Sequence, residues 1–223
     1  MANSSGSIGN IRKKFHETHE LISTAYHEAG HAIYGLIHHI NIGPVLVFED
    51  KKSKRIHGFT HYDPAVLSEI QDPALFNDRL YSEIGLSYAG LVAEKRYFKI
   101  ISGSDKFPMF LREGSSHDFS EAAALFEKYN LSEPGRKRYN HKQKIIKSID
   151  RELQKHWDAV TIIAHSLFKK KKISSLEIKE LLIKKTEDKE FWKKNFKVHE
   201  QLYNNSEPLD EKDIKSLIYK GHD

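Results

Sequence analysis

The sequence predicts a mainly α (α+β) fold in which several amphipathic helices surround one small β-hairpin or sheet. Three observations carry that expectation. Apolar residues recur at helical spacing over the stretches 16–39, 74–99, 116–129 and 138–170. Two short runs, VLVFED (45–50) and HGFTHYD (57–63), flank the charged turn KKSKR (51–55), the pattern of a hairpin. With 223 residues, 12 Phe, 10 Tyr and 2 Trp, the chain is long and apolar enough to bury one core.

In chain order, residues 1–15 are polar and read as a flexible N-terminal segment. The first helix carries Leu21, Ile22, Ala25, Ala29, Ala32, Ile33, Leu36 and Ile37 at its apolar positions, and Asn41-Ile-Gly-Pro44 ends it. Asp63-Pro64 closes the second strand. The next helix carries Leu75, Leu80, Ile84, Leu86, Leu91 and Val92, and a Gly/Ser/Pro-containing connector follows at 100–115. A third helix begins near Ser116. Glu133-Pro-Gly135 separates it from one long helix, about 138–170, whose Lys169–Lys172 run suits the negative end of a helix dipole. Ser174-Ser-Leu-Glu177 is a capping box that opens a short helix. One folded unit over 16–185 is expected, followed by a polar, Lys-rich tail over 186–223 that is helical in part.

Composition excludes several classes. The chain has no Cys, so a disulfide scaffold, a Cys nucleophile and a thiolate metal site are all ruled out. The absence of Cys fits a reducing, cytoplasmic setting. The N-terminus lacks the apolar stretch of a signal peptide. The uncharged window Ala29–Phe48 contains His31, His38, His39, Asn41 and Pro44, which make it a poor membrane span. A net charge of +5 over this length is too small to point to nucleic acid.

The chemistry concentrates in His27-Glu28-Ala29-Gly30-His31, an HExxH motif inside the first helix. Residues four apart share a helical face, so both imidazoles can reach one cation. Glu28 beside the first ligand can then take a proton from a zinc-bound water, while the same ion polarises a scissile carbonyl. Gly30 is costly in mid-helix, which suggests that space is needed near the metal or substrate. The extended metzincin form is absent, since Tyr34 and Ile37 stand where its Gly and third His belong. A third ligand must come from elsewhere.

Three blocks, STAYHEAGHAIYG (23–35), YAGLVAEKRYF (88–98) and GSSHDFSEAAALF (114–126), resemble successive parts of the peptidase domain of FtsH-type ATP-dependent zinc metalloproteases. LQKHWDAVTIIAHSLFKKKKISSLEIKELL (153–182) resembles that family's closing helices. The resemblance implies a helical zincin-like metallopeptidase domain holding one Zn2+ per chain through His27, His31 and Asp118, with Glu28 as the catalytic base. Where that family also carries membrane segments and an AAA+ ATPase, this sequence has no G-x-x-x-x-G-K-[ST] phosphate loop, and Leu91 replaces the family's usual Arg. A stand-alone peptidase acting on flexible or unfolded polypeptide without ATP is therefore expected, with a separate ATPase or chaperone as a possible partner and oligomeric state left open. Two alternatives share the motif: a non-enzymatic FtsH-like adaptor, and a repressor-cleaving HExxH regulatory protease.

Other residues have two readings each. Glu94 is either a gluzincin-type third ligand or the carboxylate partner of a ligand His. Asp118, three residues after Ser115, could simply cap its own helix. His57 and His61 share one strand face, either as ligand or substrate contacts or as solvated side chains. His117 could line the pocket. Tyr26 either stabilises an oxyanion or packs within its helix. The hairpin could offer a strand edge to a peptide, or be wholly paired.

Overall fold

The computed structural model describes residues 5–64, 67–104, 116–129, 131 and 136–203. Its centre is helix α1 (Ser5–Ile37), which begins at Ser5 rather than at residue 16, so most of the segment expected to be flexible is helical. Every residue from Ala25 to Ile37 is buried. A helix buried all round needs partners on all sides. These are helix α2 (Pro73–Ser102), helix α5 (Trp157–Lys170) and the two long strands, with helix α4 (Arg136–Lys155) touching its edge. The HExxH motif thus lies in the middle of the core.

The end of α1 is fixed by hydrogen bonds. His39 takes a left-handed conformation at φ 55° while Ile40 N donates to Gly35 O and His39 N to Leu36 O, the pattern of a Schellman cap. Strand β1 (Asn41–Glu49) starts at once, so Asn41-Ile-Gly-Pro44 both ends the helix and opens the sheet. The pairing shifts between Ile42 and Val45, around Pro44, which has no N–H to give. Strand β2 (Ile56–Asp63) pairs antiparallel to β1 as the hairpin pattern predicts. A third strand, β3 (Lys172–Ile173), pairs with the other edge of β1 and gives the order β2-β1-β3. Val45 and Val47 anchor the inner face at 0% exposure.

Asp72 caps α2 by accepting from Ala74 N and Leu75 N, and Gly103 ends it at φ 67°. Most of the expected connector, 105–115, and the Glu133-Pro-Gly135 turn lie outside the described residues. Helix α3 (Ser116–Lys128) starts where the sequence places it. The single long helix expected at 138–170 is instead two, α4 and α5, broken at His156. Adjacent side chains are drawn to different partners there. His156 stacks on Phe191 at 4.5 Å, while Trp157 stacks on Tyr26 of α1 at 5.6 Å.

Helix α6 (Ser175–Lys185) opens on the Ser174/Glu177 capping box. Helix α7 (Lys189–Tyr203) lies in the stretch expected to be a polar tail, yet it carries fully buried Trp192. Asn195 Nδ2 donates to Leu36 O at 3.0 Å and the Tyr203 hydroxyl to His39 O at 2.7 Å, docking α7 on the end of α1. Residues 204–223 lie outside the described residues. Among those described, no helix is long and apolar enough to cross a membrane.

Candidate metal centre

Helix α1 presents His27 and His31 one turn apart, both buried. Two small residues let α2 come against this face. A Cβ on Gly30 would lie 2.6 Å from Ala89 O and 2.6 Å from the Ala93 methyl, so Gly30 admits the neighbouring helix rather than a ligand. The space at the imidazoles comes from Gly90, where a Cβ would lie 2.3 Å from His31 Nε2 and 2.5 Å from His27 Nε2. Asp118, in the first turn of α3, completes the group. Its Oδ2 lies 3.0 Å from His27 Nε2 and 3.6 Å from His31 Nε2, and the two Nε2 atoms are 3.0 Å apart.

These separations fit a cation. Ligand atoms at ~2.0–2.1 Å from a tetrahedral zinc are about 3.3 Å from one another, which lies inside the observed range. The outer ring nitrogens are also committed. His31 Nδ1 lies 2.8 Å from Leu86 O, and a carbonyl can only accept, so Nδ1 carries the proton and Nε2 offers its lone pair inward. His27 Nδ1 faces Glu94 Oε2 at 3.5 Å, and Ser23 Oγ donates to Glu94 Oε1 at 2.6 Å. Glu94 therefore stands behind His27, oriented by Ser23, while Asp118 stands with the two Nε2 atoms. The buried His27 and His31 and the half-buried Asp118 form a group that could hold a metal ion.

The imidazoles and carboxylates of this group shift one another's protonation. Burial works to lower the His27 pKa, but hydrogen bonds to Asp118 and Glu94 outweigh it and hold the ring well above its ordinary value. Burial works to raise the Asp118 pKa, but its contacts with the His27 and His31 rings hold it well below the usual carboxylate range. The aspartate is charged, and a divalent ion would complement it.

The Glu28 carboxylate reaches β2. Thr60 Oγ1 lies 2.7 Å from Glu28 Oε2 and 3.1 Å from the Glu28 carbonyl oxygen. A Cβ on Gly58 would lie 2.2 Å from Glu28 Oε1, so only glycine lets the strand pass this close. The group opens into a cleft of about 310 Å³ whose lining includes Glu28, Gly58, Thr60, Tyr62, Asp118 and Glu121. Tyr62 donates weakly to Glu121 Oε2 at 3.5 Å, and burial, reinforced by the Glu121 and Glu83 charges, keeps its phenol protonated.

The remaining candidates separate cleanly. His117 lines the cleft but is largely exposed and faces Glu121 at 3.4 Å. His57 and His61 share the exposed strand face; His57 also lines the cleft and stacks on Phe48 at 5.9 Å, and His61 does not line it. Tyr26 is buried and stacked on Tyr97 at 4.1 Å, the packing role. The capping partner considered for Asp118, Ser115, lies outside the described residues. A larger cavity of about 860 Å³ surrounds His38, Arg79 and Glu152 at the end of α1 and shares no residue with the metal cleft. Sequence reasoning missed Ser23, Gly58, Thr60 and Gly90. Of these, Ser23 and Gly90 each sit within a block that carries the resemblance. Comparison with protein-family models and with curated proteins finds no match to this chain.

Proposed function

We propose that this chain is a zinc metalloendopeptidase that hydrolyses flexible or unfolded polypeptides without ATP. The observation that carries the reading is the convergence of His27 Nε2, His31 Nε2 and Asp118 Oδ2 in a cleft that the Glu28 carboxylate also lines. Two imidazoles and one carboxylate at tetrahedral spacing suit zinc and leave one position open. When bound, the ion would acidify water and polarise a peptide carbonyl. Glu28 accepts the proton of the attacking water and returns it to the leaving amine. Glu94 and the Leu86 carbonyl hold the two imidazoles in the orientation that ligation requires.

The sheet supports a polypeptide substrate. Strand β2 is paired on one side by β1, and Ile56, Gly58 and Phe59 line the cleft. An extended peptide laid along that edge would gain main-chain hydrogen bonds and place its carbonyl near Glu28. These 223 residues contain no phosphate loop, so they do not themselves supply ATP-driven unfolding, and a partner ATPase or chaperone is compatible with the reading. The lack of Cys suits work in the cytoplasm.

Metal analysis of the purified protein combined with a fluorogenic peptide library tests this. One zinc per chain is expected, with ATP-independent cleavage that is lost on chelation and in Glu28→Gln. A zinc-loaded protein that cleaves no unfolded substrate would leave the site a binding module instead, and a Glu28→Gln variant as active as the parent would remove the peptidase reading.

A further inference from the structure

We infer that strand β2 positions the general base: Thr60 is a positioning residue that holds Glu28 Oε2, and Gly58 supplies the clearance that leaves Oε1 to receive the proton. The catalytic part of this inference rests on the peptidase reading above. The geometric part does not.

Glu28 is a buried carboxylate on a side chain with three rotatable bonds. Left unsupported, it would sample several rotamers, and a base displaced by an ångström loses much of its effect. Its only hydrogen-bond donor among the described residues is Thr60 Oγ1, at 2.7 Å from Oε2. Thr60 is itself buried, at 8% exposure, so this bond is little diluted by water. The hydroxyl has one proton and two acceptors within reach, the carboxylate at 2.7 Å and the Glu28 carbonyl at 3.1 Å. The shorter, charged acceptor takes it.

What fixes Thr60 is the sheet rather than α1. Thr60 pairs with Val45 and Gly58 with Val47, and both valines are fully buried. The base is therefore held by an element separate from the helix that carries it. Residues 58 and 60 share one face of the strand, so the same pleat that aims the hydroxyl also brings the bare glycine against Oε1. Oε1 has no donor among the described residues, which leaves its lone pairs uncommitted and able to take the proton of the reaction.

Three variants test this: Thr60→Val, which keeps the shape and removes the donor, Thr60→Ser, which restores it, and Thr60→Ala as a second donor-less variant without added bulk. Each is assayed for zinc content, for kcat and KM on an unfolded peptide, and by crystallography for the Glu28 rotamer. Thr60→Val is expected to lower kcat about 10- to 100-fold, the effect of losing a hydrogen bond to a charged group, with KM and zinc content unchanged. Thr60→Ser should recover to within about threefold of the parent. In the crystals, the Glu28 carboxylate should leave its place in Thr60→Val and Thr60→Ala and keep it in Thr60→Ser. Parental kcat in the donor-less variants, alongside an inactive Glu28→Gln, would overturn the inference and leave the peptidase reading standing. A protein without peptidase activity would remove that reading, and the rotamer would still decide the geometric claim. An unmoved Glu28 in both donor-less variants overturns it in every case.

Discussion

At the scale of single residues, the site separates atoms that would touch a cation from atoms that hold the ligands. Asp118 Oδ2 faces the two Nε2 atoms, whereas Glu94 faces the opposite nitrogen of His27. Removing Asp118 leaves two protein ligands where a catalytic zinc has three. Asp118→Ala is thus expected to abolish stoichiometric zinc binding. Glu94→Gln keeps an acceptor oxygen for His27 and should weaken zinc affinity or turnover by about tenfold. A zinc titration with the opposite ranking would move the third ligand to Glu94. Gly90 allows a sharper test. Alanine is the better helix former by ~1 kcal/mol, yet its methyl would sit 2.3 Å from His31 Nε2. Gly90→Ala should keep helical circular dichroism while losing zinc. A variant that binds zinc like the parent would show that the imidazoles do not converge there.

At the scale of elements, legibility follows the range of the interaction. Helix α1 from residue 16 onward, the hairpin, the start of α3 and the α6 capping box rest on local periodicity and turn chemistry, and each was readable. Strand β3 was not, because a two-residue strand exists only through its pairing with β1. The break at His156 depends on stacking against Phe191, a residue 35 positions away (191 − 156), which no local pattern reports. Alternation within HGFTHYD does place Gly58 and Thr60 on one face, but that this face meets Glu28 is a tertiary fact. Helix α7 falls in the stretch expected to be partly helical, but its docking on the core was not legible. Lysines dominate its surface, and the few residues that dock it, Trp192, Asn195 and Phe196, are sparse in sequence. Trp192→Ala should cost about 3–5 kcal/mol in urea unfolding, as expected for emptying a fully buried aromatic site. A loss below about 1 kcal/mol, of the size seen at surface sites, would make α7 an appendage.

At the scale of the whole molecule, the end of α1 remote from the metal group carries a pH-sensitive contact between α1, α2 and α7. His199 of α7 is 8% exposed, lies 5.1 Å from the Tyr203 ring and 6.0 Å from the His39 ring, and its Nε2 has no hydrogen-bond partner among the described residues. Burial, with the nearby Arg79 charge as a second cause, pushes its pKa down to about 4 against the ordinary 6.5. The unfolded chain therefore binds a proton at this residue between those two values while the folded chain does not. Stability must then fall as pH drops through 6.5 toward 4, and the contribution is intact at neutral pH. By linkage, His199 alone should remove about 2 kcal/mol at pH 5 relative to neutral pH. His199→Phe keeps a ring against Tyr203 and cannot titrate. Urea unfolding of chelator-treated parent and variant at pH 7.5 and pH 5 isolates the effect, since the other titrating groups are common to both. The variant should lose about 2 kcal/mol less than the parent over that interval. Equal losses would mean that His199 reaches water or finds a proton acceptor in the folded state, and that the α1–α7 contact is looser than its burial indicates.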